Sequence, residues 1–386
     1  MLKMKANKWN NVQALLFKAR LRAILFFFFL SIGLQAVTPT VNVRVDSRME
    51  MLFIVWSMTD WPRHFTPYAE TSPYAKDVEA SFGSFRDHSA IRLFREIAKS
   101  DRNWAFDAPP EWILCYGPPP EMELLTPLPE EIIKRLGGVE KGAKLIEAFR
   151  KFARDTNFKA FFLAHGDFYK KLETDYQQVG RLETRWKTMT RFFGVAPMEA
   201  TVILAPLSYF GNYGLQIQMP NGSNHFVLVD SPANYIRGSY VFDSDSIGAL
   251  IYHEFGHCFV NKTVLAYPGR NARAGWMPLI GEAMRKQGYA DWDTVICESV
   301  ARASEICLAE FGGEPDLANR RRKESIAREW YWVPALAERM MEFPARRDFF
   351  PDFATFVPRL LETLDELEPI TETTLGEFQG TRPRKH

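Results

Sequence analysis

The sequence is poor in cysteine and has almost no excess of either charge. It contains four cysteines in 386 residues, and its 48 Lys and Arg residues nearly offset 47 Asp and Glu residues, leaving a net charge of +1. A chain of this length can bury a large core without disulfide bonds, which excludes a disulfide-dependent scaffold. The balanced charge provides no basic surface for nucleic acid. The chain also lacks internal repeats and low-complexity tracts, so we expect a globular protein with no nucleic-acid partner.

Long apolar runs are also missing, except for one near the N-terminus. Residues 23–34 form a phenylalanine-rich run that is too short to span a bilayer comfortably. Basic residues precede it: Lys3, Lys5, Lys8, Lys18, Arg20 and Arg22. The pattern predicts a signal peptide over residues 1–36, cut after Ala36, and export to the periplasm, cell surface or medium. An uncleaved anchor is the alternative; after cleavage we expect no stable membrane insertion.

Residues 253–257 read His-Glu-Phe-Gly-His, with two histidines four positions apart. Residues at that spacing lie on the same face of a helix, one turn apart, so His253 and His257 can hold one Zn²⁺ through two corners of a tetrahedron. Glu254 lies about 100° around the helix, where it can act on a water bound to that metal. The alternative is two core histidines that only bond the backbone, which leaves Glu254 without a role. The motif therefore predicts one zinc ion with Glu254 as general base.

The residues around this motif predict a helix. Residues 243–246 offer N-cap side chains and acidic charge for the positive helix end. Apolar residues then recur at helical spacing, namely Ile247, Leu250, Ile251, Phe255, Cys258 and Phe259. The two histidines are therefore expected on a largely buried helix.

A catalytic zinc site needs a third protein ligand and an open position. The metzincin solution is excluded because Val260 and Thr263 stand where it requires glycine and histidine. A glutamate on a later helix is the other common solution. We favour Glu298, because it lies near the start of an apolar helix, where an acid is costly unless it binds a cation. Arg302, one turn further on, can pair with Glu298 and orient it.

The sequence also allows other roles for these acidic residues. Glu298 and Arg302 can also be a plain helix pair with no metal. Glu282 precedes the polar run 285–288 and is expected to be more exposed. Glu305, about two helical turns beyond Glu298, is the weaker third choice.

Two histidines with a downstream Glu-x-x-x-Arg resemble the gluzincin branch of the zinc metallopeptidases. The segments His253–Asn261 and Glu298–Ala303 are also similar to DUF4932, a family of exported bacterial proteins of unknown function. Two further segments, Val45–Met51 and Phe82–Ile91, resemble the N-terminal part of that family. Cys297 stands where well-studied gluzincins have Asn before the glutamate. The resemblance implies a zincin-like metallopeptidase fold and hydrolase activity, and it leaves the substrate unspecified.

The order of the elements predicts an α+β fold that is largely helical. Residues 51–58 form an apolar element of strand or buried-helix type, and the proline-rich residues 107–128 are expected to be loop. Strands are expected at residues 201–206, 215–219 and 225–230, with a turn at 220–223. A small mixed or antiparallel sheet should therefore precede the zinc-binding helix.

From this order of elements we predict that the chain has four parts. Residues 1–36 are the signal peptide, and residues 37–195 form a mostly helical part. Residues 196–345 form the catalytic part, with the sheet, the histidine helix and the glutamate helix. Residues 346–386 form a last helix, around 353–367, and a mobile tail. Within the catalytic part, the basic run 320–323 is expected to be a solvated helix face.

These features predict an exported zinc metallopeptidase that acts on a peptide or protein substrate. Tyr240, Tyr213 and His225 are candidates for contacting the substrate and its developing oxyanion. One alternative is a non-catalytic zinc-containing module that binds peptides or glycans. Another is a hydrolase of non-peptide amides that uses the same site. The sequence does not indicate an oligomeric state.

Overall fold

The computed structural model describes residues 40–59, 72–100, 104, 106–196, 198–208, 211–219, 224–230, 235–236 and 239–367. They belong to one compact unit, Pro39–His386. The predicted signal peptide and the predicted mobile tail lie outside the described residues. No helix within the described ranges combines the length and the apolar composition that crossing a membrane requires.

A short strand and a series of helices come before the sheet. The strand is β1 (Val41–Arg44). The helices are α1 (Ser47–Ser57), α2 (Pro73–Phe82), α3 (Ser89–Ser100), α4 (Ala108–Leu114), α5 (Glu130–Leu136), α6 (Val139–Asp155), α7 (Phe158–Ala164), α8 (Gly166–Gly180) and α9 (Leu182–Phe193), with a 3₁₀ turn at Gly83–Phe85. This part of the chain is mostly helical, as predicted.

The structure decides one open expectation for this helical part and corrects another. The apolar element that was expected as either strand or helix is α1, in which every residue from Met49 to Trp56 is buried. The proline-rich residues 107–128 are not all loop, because they contain α4. Pro109 and Pro110 lie in its first turn, where a helix does not use the backbone N–H that proline lacks.

The central sheet is mixed, which confirms the predicted fold class. Its strands β2 (Ala200–Leu204), β3 (Tyr213–Gln218) and β4 (Asn224–Asp230) join β1 in the order β1-β2-β4-β3. The pairs β1–β2 and β2–β4 are parallel, whereas β3 runs antiparallel to β4 and forms an edge of the sheet. A two-stranded hairpin, β5 (Tyr235–Ile236) and β6 (Ser239–Tyr240), follows. The contribution of β1, from far upstream, was not predicted.

The remaining helices pack on this sheet and on one another. They are α10 (Ser244–Ala266), α11 (Met277–Lys286), α12 (Trp292–Phe311), α13 (Pro315–Ala327), α14 (Val333–Met340), α15 (Glu342–Ala345) and α16 (Phe353–Glu366), with a 3₁₀ segment at Pro268–Trp276. The last helix, α16, is close to the predicted one. Every residue of α12 from Val295 to Ala309 is buried, so α12 forms the centre of this half of the molecule.

One face of the sheet packs against α9 and α10. Phe226 of β4 lies against Trp186 of α9, with ring centroids 5.4 Å apart, and stacks on Phe259 of α10 at 5.1 Å. Because side chains alternate between the two faces of a strand, Leu228 and Asp230 point to the same face as Phe226. His225 belongs to the opposite face. This alternation decides which residues of β4 can face the helices.

A buried arginine joins four elements at the start of α10. The Arg185 side chain, on α9, is 1% exposed and donates from Nη1 to the carbonyls of Gly180 and Ser244, each at 2.8 Å. Its Nη2 lies 2.6 Å from Glu314 Oε2, just before α13. Tyr252 of α10 donates to the other Glu314 oxygen at 2.9 Å. Glu314 is therefore the anion that compensates a charge buried under the start of α10.

Replacing Glu314 with alanine should lower the free energy of unfolding by roughly 3 kcal/mol, because it leaves Arg185 charged and buried without its anion. Urea titration at pH 7 measures this. Burial raises the pKa of Glu314, but Arg185 outweighs burial and holds that pKa below 4.5. The loss should therefore shrink as acid titrates the carboxylate below that pH. Glu282→Ala, at an exposed surface pair with Lys286, is the control and should behave like wild type. A wild-type stability for Glu314→Ala would contradict this account.

Candidate metal centre

The helix α10 carries both histidines of the motif on one unbroken stretch of 23 residues. Its N-cap is Asp243, whose carboxylate accepts from the Ser246 backbone N–H at 2.8 Å, in agreement with the predicted N-cap segment 243–246. His253 and His257 lie one turn apart, and their side chains are 17% and 19% exposed. They are thus near the surface of the core, where a cleft can reach them.

Gly256, inside the motif, allows α12 to approach closely. A Cβ atom built on Gly256 would lie 2.7 Å from Ser304 Oγ of α12, which is closer than real Cβ contacts. The bare backbone at this position therefore lets the two helices meet. Their contact brings Glu298, on the buried face of α12, next to the histidines.

His253, His257 and Glu298 form a cluster whose donor atoms can hold a metal ion. The two Nε2 atoms are 3.2 Å apart, and they lie 3.6 Å (His253) and 3.4 Å (His257) from oxygens of Glu298. Ligands about 2.0–2.1 Å from a tetrahedral ion are separated from each other by about 3.3 Å. Each of these three separations is close to that between two corners of a tetrahedron, with His253 facing Oε1 and His257 facing Oε2 of Glu298.

The other nitrogen of each imidazole faces a partner that orients the ring. His257 Nδ1 is 3.1 Å from Asn261 Oδ1, one turn along α10. His253 Nδ1 is 3.6 Å from Glu305 Oε2 of α12. Asn261 can accept a hydrogen bond from His257 Nδ1–H, which leaves His257 Nε2 as a lone-pair donor toward the cluster. Glu305 lies beyond hydrogen-bond distance of His253 Nδ1 and acts on that ring through its charge. A cation between the two Nε2 atoms, which are 3.2 Å apart, would bind both nitrogens through their lone pairs.

The electrostatics of the cluster also favour a cation. Burial opposes the ionised form of Glu298, but His253, His257 and Arg302 outweigh it and hold the pKa of Glu298 far below its ordinary value. Burial lowers the pKa of His257, and the Glu298 carboxylate reverses the effect and raises it to about 9. A metal ion would replace the proton that this field attracts.

Arg302 has the position that its sequence spacing predicted. Its Nη2 lies 2.7 Å from Glu298 Oε1, and both side chains are 7% exposed. Its guanidinium also lies over the ring of Trp330, 5.0 Å from the centroid. With one side against an aromatic ring, Arg302 is held in place and fixes one oxygen of Glu298.

The two other acids considered as third ligand have different surroundings. Glu282 is exposed on α11 and pairs with Lys286 at 2.7 Å, so it takes no part in the cluster. Glu305 is 2% exposed and contacts the back of His253 rather than its Nε2. Arg321 pairs with Glu305 and Glu324. The basic run 320–323 is therefore not simply a solvated face, because Arg321 reaches into the site.

Glu254 lies beside the cluster, on the side of the edge strand. Its Oε2 accepts from the Gly214 backbone N–H of β3 at 3.0 Å. A Cβ atom on Gly214 would come within 1.8 Å of the Glu254 carbonyl oxygen, so only glycine lets β3 lie this close to α10. This contact positions the carboxylate, and the sequence alone did not indicate it.

A cleft of about 400 Å³ opens at His253 and Glu254. Charged and polar side chains dominate its wall, in contrast to the apolar core around it. They are Asn212, Asp230, Asp243, Ser246, Arg302, Glu305, Arg321, Glu324 and Arg328. Because Asn212 belongs to this wall, the segment just before β3 borders the cleft.

The structure places the three predicted oxyanion candidates away from this wall. Tyr240 lines a separate aromatic pocket, where its ring centroid is 5.9 Å from that of Phe168. Tyr213 pairs with Val229 and is not among the residues that line the cleft, although burial and the nearby Glu254 charge both raise the pKa of its hydroxyl. His225 is on the sheet face opposite to Phe226, near the start of β4, where its Nε2 is 2.9 Å from Thr201 Oγ1. The alternation of side chains along a strand explains the position of His225.

The cysteines next to the proposed ligands are free thiols. Cys258 and Cys297 form no disulfide, and neither belongs to the metal cluster. Burial raises the pKa of Cys297 to about 12 and moves that of Cys258 in the same direction. Both thiols are therefore protonated and unreactive at neutral pH.

Glu298→Ala should lower the metal content of protein purified with added zinc from about one ion per chain to a small fraction of that, because two imidazoles alone make a weak site. Elemental analysis measures the content, and circular dichroism checks the fold. Glu298→Gln, which keeps the side-chain volume, should lose metal as well. Glu282→Ala is the control and should keep full occupancy. Full occupancy in both Glu298 variants would remove Glu298 from the ligand set.

Comparisons with known proteins place the chain in a family without identifying a reaction. Residues 120–363 match the family model described as domain of unknown function (DUF4932). The chain matches no curated protein and no solved structure. The matched range covers well over half of the chain and includes the metal cluster, Glu254, the sheet strands β2 to β4 and the whole cleft wall. The chain therefore belongs to the DUF4932 family.

Proposed function

We propose that this protein is an exported zinc-dependent metallohydrolase, and that peptides or proteins are its substrates. The observation that supports this most directly is a three-donor metal cluster, His253, His257 and Glu298, beside a positioned acid, Glu254, at the wall of an open cleft. Export rests on the predicted signal peptide.

The donor set favours zinc. Two imidazole nitrogens and one carboxylate are a common zinc donor set in hydrolytic sites, and such sites keep one position open. His253 and Glu254 line the cleft, and we expect the open position on that side of the cluster. When bound, zinc would acidify a coordinated water and polarise a carbonyl group.

Glu254 is the proposed proton carrier. One of its oxygens, Oε2, is held by the Gly214 N–H, which leaves Oε1 to accept a proton from the attacking water. The carboxyl group can then deliver that proton to the nitrogen of the leaving amine as the carbon–nitrogen bond breaks. During this proton transfer, Arg302 holds the Glu298 carboxylate in position and Glu305 faces the His253 ring.

The edge strand β3 favours peptides over other amides. Gly214 N–H points to Glu254 rather than to β4, so the Gly214–Leu228 pair is a non-hydrogen-bonded pair of the ladder. The main chain of Gln216, two residues on, therefore also points to the open edge. An extended peptide could pair there, because main-chain groups bond without sequence demands. This arrangement of an edge strand before the histidine helix is the basis for a zincin-like fold.

Two alternatives remain distinct from this proposal. A non-catalytic zinc-containing module that binds peptides or glycans has no need of a base, whereas Glu254 is held in place at the cleft wall. A hydrolase of non-peptide amides would use the same metal and base without the strand edge. Substrate tests on purified, metal-loaded protein separate these cases.

Glu254→Gln should retain its metal and lose hydrolysis of a generic peptide library by about 10²–10⁴-fold, because an amide cannot accept the proton. Cleavage followed by mass spectrometry gives the rate, and elemental analysis gives the metal content. Glu282→Gln, an exposed Glu-to-Gln change, should keep wild-type rates. A Glu254→Gln protein that cleaves at the wild-type rate would reject this base. A wild-type protein that binds zinc but cleaves nothing would favour the binding module.

Backbone N-methylation of one cleaved peptide, at an amide next to but not at the scissile bond, should lower kcat/KM by roughly tenfold wherever that N–H pairs with β3. The methyl group removes the donor that the strand edge requires. A scan of one methyl group along the peptide should show losses at alternate positions, as in an antiparallel ladder. Equal rates at all flanking positions would contradict edge pairing and favour a non-peptide amide.

A further inference from the structure

The free edge of β3 is occupied at both of its ends. Near the start of the strand, the Gly214 N–H donates to Glu254 Oε2 at 3.0 Å. At the other end, the hydroxyl of Thr126 donates to the Gln218 carbonyl at 2.7 Å. Main-chain groups that turn away from the partner strand recur at every second residue of an antiparallel ladder, so Gly214 and Gln218 belong to the same row. The two bonds therefore mark the two ends of one row of edge groups.

Gln216 is the member of this row between the two ends. It pairs with Phe226 across the ladder, and its side chain is exposed. Within the described part of the chain, no side chain or loop bonds to the main chain of Gln216. Gly214 and Gln218 are four residues apart, which is about 13–14 Å of extended strand. The free edge thus has room for at most about four residues of a paired peptide.

The segment that carries Thr126 is a loop, residues 115–126, which we call the strand-end loop. Main-chain bonds join its two ends, because the Cys115 carbonyl accepts from the Leu125 N–H at 2.9 Å and from the Thr126 N–H at 3.3 Å. Thr126 itself is 7% exposed. The hydroxyl that bonds to β3 is therefore fixed by the closed base of the loop.

Two arginines fasten the strand-end loop to the helices. Arg48 of α1 donates from Nη1 to the Tyr116 carbonyl at 2.8 Å. Arg150 of α6 donates from Nε to the Glu121 carbonyl at 2.8 Å and from Nη2 to the Met122 carbonyl at 3.0 Å. Met122 is fully buried, so the tip of the loop is packed into the core. A loop held at its base, at its tip and at the strand resists displacement by a substrate.

The other direction along β3 leads to the metal cleft. Asn212, two residues before Gly214, belongs to the cleft wall together with His253 and Glu254. A peptide that pairs with β3 therefore reaches the cleft at one end and the strand-end loop at the other. Covering an edge strand with a loop is one of the ways in which proteins end strand pairing.

We propose that the strand-end loop limits how much peptide can lie before the scissile bond, so that the protein releases peptides of at most about four residues from the amino termini of its substrates. This inference rests on the proposed hydrolytic function. An antiparallel partner pairs slightly more strongly than a parallel one. Because β3 runs from Gly214 to Gln218, an antiparallel peptide runs from the loop toward the cleft. Its residues beside β3 then precede the bond that is attacked beside Glu254.

The reaction at each bond is a simple hydrolysis. One water is consumed as the carbon–nitrogen bond breaks, which leaves a new carboxyl group on the released short peptide and a new amino group on the remaining chain. The remaining chain lies on the cleft side, away from the strand-end loop, so its length is not limited by that loop.

Peptides of one sequence, lengthened one residue at a time before the scissile bond, test the limit on zinc-loaded protein. kcat/KM should rise up to about four residues, because each residue adds pairing with β3, and should fall at least roughly tenfold once six or more residues meet the loop. Mass spectrometry of the products from a long unstructured peptide should show short amino-terminal fragments. Internal cuts at the rate of short peptides would overturn the proposal. A limit on the residues after the scissile bond would overturn it as well.

Removing two anchors of the strand-end loop should relax the limit. In the double variant Arg150→Ala with Thr126→Val, the ratio of kcat/KM for an eight-residue amino side to that for a four-residue one should rise at least about threefold. Arg154→Ala is the matched control, because Arg150 and Arg154 both pair with Glu147 but only Arg150 bonds to the loop. The control should keep the wild-type ratio. A wild-type ratio in the double variant would contradict the role of the loop.

Binding of peptide hydroxamates separates this inference from the proposed function. A carboxy-terminal hydroxamate binds zinc, so the residues before it lie on the amino side of the metal. Affinity for zinc-loaded protein should rise up to about four residues and fall at least roughly tenfold at six. If wild-type protein shows this pattern but cleaves no peptide, the hydrolytic proposal fails and the limit stands. If it cleaves peptides while hydroxamates of all lengths bind equally, the limit fails alone.

Discussion

The close packing of α10 on α12 is the constraint on which the candidate site depends. Gly256 has no side chain to hold the helices apart, and Ser304 occupies the space that a Cβ atom would need. The approach places Glu298 within 3.4–3.6 Å of both imidazole Nε2 atoms. If the two helices lay further apart, the histidines and Glu298 would no longer reach the same ion. Ligand atoms must lie about 2 Å from the ion, so even a small displacement breaks the site.

The charges around the cluster are compensated in pairs that also hold helices together. Arg302 neutralises Glu298 within α12, while Arg321 of α13 reaches Glu305, which in turn faces His253. At the other end of the site, Arg185 and Glu314 fix the start of α10. Buried charges of this kind are costly when unpaired, so the network limits how the helices can shift. The same pairs that stabilise the fold therefore orient the groups that face the cleft.

The mixed sheet contributes to the site through its edge and its alternation. Gly214 of the edge strand holds the Glu254 carboxylate, which no motif indicated. Along β4, the period of two sends Phe226, Leu228 and Asp230 toward α10 and sends His225 to the far face. His225 and Tyr213 have the residue type of an oxyanion donor and are near the motif in the chain, but side chains cannot be assigned to sheet faces without the strand register.

The sequence by itself determined the local features of this protein. These features are the spacing of His253 and His257, the N-cap at Asp243 and the pairing of Arg302 with Glu298. Each depends on residues within about one helical turn, which a linear pattern records. The sequence also located the strands β2 to β4 by their composition and the turn between two of them, but not their order in the sheet. Only the tertiary structure showed that Glu298, and not Glu305 or Glu282, faces both Nε2 atoms. It alone also showed the addition of β1 to the sheet and the contact of Gly214 with Glu254. These depend on segments far apart in the chain that meet only when the core is packed, and packing distances are not written in sequence spacing.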